Sequence, residues 1–335
     1  MTRHKGQDLE NRTSESPVPE TLRVPEDQAG LRLDRFLAAA LATPRNQLQR
    51  WIALGLVQVD GKVAEKPSLS LAGGEKIQVR PPPPQDPRIQ GEAGELTILY
   101  EDEHLVVLDK PAGLVVHPGA GHGRGTLAHR LLNRYPEMAA VGGPGRPGIV
   151  HRLDRGTSGV LVAARQPQAY LALSRAFAKR QVGKLYLAVA YGRFRSPAGE
   201  IDAPIGRHPQ RRQEMTVRPK GRPALTRYRT LAEAEGTTLV RLDIATGRTH
   251  QIRVHLKDIG HPLVGDPTYG EKRWKGLSKR VQTLLEKFSR PALHAWRLSL
   301  THPATGQALT FEAPPPEDLV ELWRELSGSS LPLEE

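Results

Sequence analysis

The stretch PPPPQDPRIQGE, residues 81–92, leaves this chain few ways to fold. Its prolines donate no backbone N–H and hold φ near −65°, so neither a helix nor the middle of a sheet can run through it. It predicts a stiff extended connection between two separately folded parts. A proline-rich ligand for a peptide-binding module is the other reading, and the strongly patterned segments on both sides weigh against it. The expected division is a disordered extension over 1–29, a small domain over 30–80, the linker over 81–92, a large domain over 93–328 and a tail over 329–335.

Residues 1–29 lack periodicity, are rich in polar residues and proline, and read as dispensable for chemistry. LRLDRFLAAAL (31–41) then carries apolar residues at helical spacing, and TPRNQLQRWIALG (43–55) restarts a helix with Thr43 as N-cap, Pro44 at N1 and Gly55 at the end. LVQVDGKVA reads as strand, Asp-Gly turn, strand, and GGEKIQV as a further strand. From about residue 95, LTILYEDEHLVVLDKPAG, KLYLAVAYG, ALTRYRTLA, TTLVRLDIA and LHAWRLSL read as strands. TLAHRLLNRYP, QAYLALSRAFAKRQ and EDLVELWRELSG read as helices. Successive strands without regular intervening helices predict an α+β domain on a large, mainly antiparallel mixed sheet rather than a doubly wound fold.

Lys plus Arg number 48 against 36 Asp plus Glu, a net charge of +12. Residues 1–29 carry −2, residues 30–80 +4 and the remainder +10. The excess sits in the folded parts and points to a polyanionic partner. The absence of cysteine excludes disulfides, thiolate ligands and a cysteine nucleophile. No apolar run is long enough to cross a membrane and no signal segment is seen, so a cytoplasmic protein without a membrane partner is expected.

HRLDRGTSG (151–159) places Asp154 between Arg152 and Arg155. An Asp beside Arg is usually a surface ion pair, but here PGIV precedes and GVLVAA follows, both reading as buried strands. A carboxylate on a short connection between core strands needs partners and lies where reactive groups are commonly held. A structural pair and a reacting group both remain open on spacing alone. HPGAGHGRGT (117–126) is not a phosphate loop, since it lacks the Gly-Lys-Ser/Thr ending and the strand-to-helix setting. In GRTHQIRVHLKDIGHP, His250 and His255 are five apart, about 140° round a helix, and no carboxylate completes a metal site. Thr249 is the expected N-cap there, with Arg248 and Arg253 the informative residues. Tyr186, on a strand, is by default a core residue whose hydroxyl needs a partner.

The segments LDKPAGLVVHPG, GIVHRLDRGTSGVLVAA, KLYLAV, TGRTHQIRVHLKDIGHPLVGDPTYG and LHAWRLSLTHPATG, in this order over about residues 95–325, resemble the RluA/RluD family of bacterial RNA pseudouridine synthases. Within it they look like the RluD-type branch acting on large-subunit (23S) ribosomal RNA. Residues 31–80 resemble an S4 RNA-binding domain. The resemblance implies the pseudouridine synthase fold, with Asp154 as the essential catalytic group. Arg152 would fill the space vacated when the target uridine leaves the stack. Tyr186 would lie against the base and help remove its C5 proton, and Arg253 would pair with the carboxylate. Arg155, Arg248 and His250 are assigned to RNA contact, and Arg32, Arg35, Arg45 and Arg50 on the small domain are candidate phosphate ligands.

The reaction so implied breaks N1–C1′, turns the uracil, joins C5 to C1′ and releases the C5 proton. It needs no redox partner and no hydrolysis, so no metal and no cofactor are expected. A glycosidase uses two carboxylates; uracil leaves as a delocalised anion, and one can suffice. Asp154 either attacks C1′ or removes the C2′ proton. Both need the ionised form, which a paired guanidinium favours. The nucleotide must be extruded from its helix at a cost of a few kcal/mol. The expected partner is large-subunit rRNA, bare or within a pre-ribosomal particle, and the protein is expected to be a monomer. A non-catalytic ribosome-assembly factor accounts equally for charge and small domain but not for Asp154, Tyr186 and Arg253 in matching motifs. A nucleoside or RNA glycosidase would release free uracil.

Overall fold

The computed structural model of the chain describes residues 20–41, 43, 45–80, 89–119, 121–142, 145–270 and 273–333, with backbone alone at 46, 47, 50 and 274. They fall in two compact units, within residues 1–87 and 88–335. Of the expected linker, residues 81–88 lie outside the described residues, as does Pro44.

The first unit runs β1 (Glu20–Arg23), α1 (Leu33–Ala40), α2 (Arg45–Ala53), β2 (Val57–Val59), β3 (Lys62–Val63) and β4 (Lys76–Val79), with sheet order β1-β4-β2-β3. Helical spacing puts Leu33, Phe36 and Leu37 of α1 on one face, packed with Leu48, Trp51 and Ile52 of α2 and with Val57, Ile77 and Val79 of the sheet. Gly55, at φ 72°, ends α2 as its position predicts, and Asp60-Gly61, both at positive φ, turn β2 into β3. The Thr43 hydroxyl donates to the Leu41 carbonyl at 3.0 Å, and the expected cap of α2 involves positions outside the described residues.

One expectation is corrected here. The extension does not stay disordered as far as residue 29, because β1 pairs antiparallel with β4 and Val24 is 1% exposed in the core. TLRV is too short to register as a period, and its partner lies some fifty residues on. Residues 1–19 lie outside the described set. Removing residues 1–29 is therefore expected to cost this unit about 2–4 kcal/mol, from the Val24 side chain and the lost strand pairing. Amide exchange across Lys76–Val79 should accelerate, and unchanged protection would contradict the pairing.

Two of the small-domain arginines also bind an acid within the unit. Arg32 and Arg45 converge on Asp34 at 3.0 and 2.8 Å, and Gln49 donates to the same carboxylate at 2.8 Å. Asp34 is fully buried, so these arginines first serve to neutralise it. Arg35 is exposed on α1, and the Arg50 side chain lies outside the described residues. Chiefly the Arg32 bond, with Arg45 and Gln49, holds the Asp34 carboxyl well below the usual range against the effect of burial. A depressed folded value means that its stabilisation is full above the unfolded carboxylate value near 4 and fades as pH falls below it. Asp34→Ala should lower the melting midpoint of this unit by several degrees at pH 7 and flatten its dependence on pH below 4.

The second unit is built on one nine-stranded sheet. Its strands are β5 (Thr97–Glu101), β6 (Leu105–Lys110), β7 (Ser158–Ala164), β8 (Gly183–Tyr191), β9 (Ala198–Asp202), β12 (Leu225–Ala234), β13 (Thr237–Ile244), β14 (Leu293–Thr301) and β15 (Ala308–Glu312). The order is β5-β6-β7-β14-β8-β13-β12-β9, with β15 also on β14. Every pairing is antiparallel except β7 with β14. A separate hairpin joins β10 (Ile205–Arg207) to β11 (Met215–Val217). The helices are α3 (Leu127–Arg134), α4 (Pro167–Ala178), α5 (Gln251–Asp258), α6 (Lys279–Lys287) and α7 (Glu317–Ser327).

Strand alternation sorts the core into layers. Val106, Leu108, Ala188 and Ala190 face α3 and α5 in one cluster, while Leu105 and Val107 face α4 on the other side. Val189 and Tyr191 join α6 and α7 on that second side. The central strands are thus buried on both faces, which is why they read as continuous apolar runs. PGIV proves not to be a strand, since only Ile149 bridges to Ala163. The glycines around it show why the chain can turn there: a Cβ at Gly148, φ 61°, would meet the Ala164 carbonyl oxygen at 1.8 Å, and one at Gly159, φ 115°, the Ala295 carbonyl oxygen at 2.1 Å. Among the described residues no helix is long and apolar enough to cross a membrane.

Candidate active site

HRLD is an extended segment laid beside β7, and each of its residues has a different fate. His151 accepts the Val162 N–H on Nε2 at 3.0 Å and stacks on Phe177, which ties the segment to the sheet. Burial pushes its imidazole down to about 3, so it stays neutral. Arg152 is exposed, Leu153 enters the core, and Asp154 after it is half-buried. The chain then turns, with the Thr157 N–H donating to the Asp154 carbonyl, and enters β7.

Across from it, TGRTHQIR starts α5. The expected N-cap, Thr249, is not the cap; His250 holds that position at φ 57°. The shift comes from Gln251, whose Oε1 accepts the Arg248 N–H and the Thr246 hydroxyl while Nε2 donates to the Leu225 carbonyl and the Thr226 hydroxyl. This buried amide locks the turn to β12 and aims the first turn of α5 at Asp154. Arg253 then reaches Asp154 Oδ2 with one terminal nitrogen at 3.3 Å. Its Nε and other terminal nitrogen are held by Asp266 at 2.6 and 2.8 Å, a bidentate grip that fixes the guanidinium plane. Asp266 also accepts the Thr268 and Tyr269 N–H groups, and the Tyr269 ring lies 4.9 Å from the guanidinium. Burial works against the Arg253 charge, and the bonds to Asp266 more than offset it, so its pKa is raised.

Tyr186, in the middle of β8, is 8% exposed and lines the same pocket of about 520 Å³ as Asp154, Arg253, Ile244 and Leu293. Burial, with the nearby Asp154 charge, raises its hydroxyl pKa, so it is protonated at neutral pH. Two further hollows adjoin this pocket. One, of about 1210 Å³, shares Arg152, Tyr186 and Arg248 and adds Arg146, Arg180 and Lys184; the other, of about 1870 Å³, shares Arg152, Asp154 and Arg253 and adds Arg155 and Arg290. Arg152 therefore stands where all three meet.

The structure thus gathers Asp154, Tyr186, Arg253, Arg152, Arg155, Arg248 and His250 around one cleft from positions a hundred residues apart. Arg248 is not wholly free, since its Nε donates to the Pro223 carbonyl at 3.1 Å, and Arg155 Nε donates to the Gly113 carbonyl at 3.3 Å. Sequence reasoning did not single out Asp266, Gln251, His151 or Lys110. Lys110 is 1% exposed and donates to the Pro111 and Leu114 carbonyls at 2.8 and 3.0 Å. Burial pushes its pKa down to about 8, with the Asp154 charge acting the other way. It staples the turn whose Gly113 N–H holds the Arg155 carbonyl at 2.7 Å. A lysine ending the apolar run LVVLDK was the available signal.

Comparison with known proteins bears on what such a cleft serves. Residues 104–258 match the family described as RNA pseudouridylate synthase, and residues 31–77 match the S4 domain. The chain is 46% identical over 303 residues to a ribosomal large subunit pseudouridine synthase D of Nitrosomonas europaea, covering 90% of this chain and 86% of that protein. The protein of the same name from Escherichia coli K12 is 43% identical over 305 residues, covering 90% and 92%. Among solved structures, human RNA pseudouridylate synthase domain containing 1 superposes with a TM-score of 0.56 at 28% identity, over 72% of this chain and 94% of that one. With near-complete coverage of relatives at that identity, and with the expected α+β fold and S4 domain both present, the chain belongs to the RNA pseudouridylate synthase family.

Proposed function

We propose that this protein isomerises specific uridines of large-subunit ribosomal RNA to pseudouridine, as the names of its relatives indicate for them, with Asp154 as the reacting carboxylate. One observation carries the residue assignment: a half-buried carboxylate held 3.3 Å from an oriented guanidinium, in a pocket it shares with a buried tyrosine. The target base would enter this pocket only after leaving its helix.

In this reading Arg253 holds the Asp154 carboxylate in place from 3.3 Å, and Asp266 keeps Arg253 in plane. Ile244 and Leu293 supply apolar walls for the uracil ring. Tyr186, protonated, lies against the base where the C5 proton is lost. Arg152, at the junction of the three hollows, fills the gap left in the RNA stack. Arg155 and Arg248 contact RNA around the pocket, and the basic hollows take flanking phosphates. The protein would act as a cytoplasmic monomer on rRNA, bare or within a pre-ribosomal particle, with the S4 domain over 30–80 and the catalytic domain over 93–328.

The test is a large-subunit rRNA transcript tritiated at uracil C5. Release of tritium to solvent without free uracil is expected. Free uracil would make the protein a glycosidase, and binding without either product would make it a non-catalytic assembly factor. Mapping pseudouridine across rRNA from a strain lacking the gene identifies the uridines.

A further inference from the structure

A line of polar contacts runs from the β10–β11 hairpin to the Asp154 carboxylate. The Met215 N–H donates to the Tyr269 hydroxyl at 2.8 Å, and that oxygen lies 2.8 Å from Nδ1 of His250. Nε2 of the same ring faces Asp154 Oδ2 at 4.0 Å. Tyr269 is 2% exposed, so its hydroxyl proton needs a partner within the protein. Among the described residues, His250 Nδ1 is the acceptor it finds.

This fixes the tautomer. Were Nδ1 protonated, the hydroxyl would receive two donors and its own proton would be stranded in the core. With Nδ1 bare, every group in the line is used and the ring N–H sits on Nε2. The charge surroundings agree: burial, Arg253 and Arg152 disfavour a second proton more than Asp154 and Asp266 favour it, so the imidazole pKa is lowered. His250 also occupies the left-handed region at φ 57°. Histidine is among the few side chains often found there, and strain of this kind tends to be kept where a side chain must be aimed.

We propose that His250 is a positioning residue for Asp154: Tyr269 keeps the imidazole proton on Nε2, and that N–H is the second donor, beside Arg253, that steadies the carboxylate when RNA closes the cleft. At 4.0 Å the contact is too long for a hydrogen bond in the free protein, and catalytic hydrogen bonds commonly tighten only with substrate bound. The inference rests on Asp154 being the reacting group and moves His250 from general RNA contact to the aim of that group.

Two measurements test it. Long-range proton–nitrogen spectra of the RNA-free full-length protein should show His250 with Nε2 protonated and Nδ1 bare, and Tyr269→Phe should release this into a mixture of tautomers. A protonated Nδ1 in the wild type, or an unchanged tautomer in Tyr269→Phe, overturns the proposal. In single turnover on an unmodified large-subunit rRNA transcript, His250→Ala should slow the chemical step about tenfold or more, as for a lost hydrogen bond to a charged group. His250→Gln, whose amide N–H falls near the place of Nε2, should recover most of that rate, with RNA affinity unchanged in both. Alanine and glutamine bear the same left-handed backbone, so that cost cancels between them. Equal slowing in the two, or a loss of affinity in place of rate, overturns the proposal. A wild type that forms no pseudouridine would instead sink the reading of function, and the tautomer is measured without RNA.

Discussion

Asp154→Asn is expected to lose turnover by about 10³-fold or more, the scale seen when a group at the reacting centre is removed, while RNA affinity and melting temperature stay close to wild type. The amide keeps the shape of the carboxylate and can still accept from Arg253, but it can neither attack C1′ nor take the C2′ proton. Arg152→Ala should behave differently. It stands outside the reacting pair, at the junction of the hollows, so it should impair extrusion, and a substrate with its target uridine already unpaired should recover part of the rate. If Asp154 served only as a partner for Arg253, the asparagine protein would melt lower and keep its turnover once folded. Single-turnover rates, RNA titration and thermal melts on the two variants separate these outcomes.

Arg253→Met is expected to damage stability and activity together. Asp266 is 6% exposed, and losing the guanidinium leaves its charge buried, with the Thr268 and Tyr269 N–H groups still donating to it. Breaking a buried pair from one side costs about 3–5 kcal/mol, a fall in melting temperature of about 6–20 °C for a unit of this size. Asp154 loses its charged partner at the same time, and turnover should fall about 10²-fold or more, as for loss of an electrostatic contact at a reacting centre. The double variant Arg253→Met with Asp266→Leu tells the two effects apart, because it removes the stranded charge. Its melting temperature should recover while its turnover does not. Recovery of both would show that Arg253 acts only through folding.

Much of the site was legible from residue types and their order. HRLD lies between segments so apolar that the aspartate had to be carried near the core, and QIRVH is the start of a helix whose arginine faces inward. The residues that went unremarked are those whose work depends on a distant partner. Asp266 matters because GDPTYG folds back under Arg253, and Gln251 because it reaches Leu225 and Thr226 on a strand some twenty-five residues earlier. Nothing along the chain marked Arg32 and Arg45 as partners of the buried Asp34.

The sequence by itself determined the positions of most helices and central strands and the chemistry available at Asp154, because these follow from the periodicity of apolar residues and from the types of side chain present. Only the tertiary structure decided which cations are free and which are spent on buried acids, where α5 begins, and how the Asp154 carboxylate is aimed. Those outcomes turn on contacts of a few ångströms between residues up to a hundred positions apart, and hydrogen bonds and ion pairs at such range leave no period along the chain for a sequence to display.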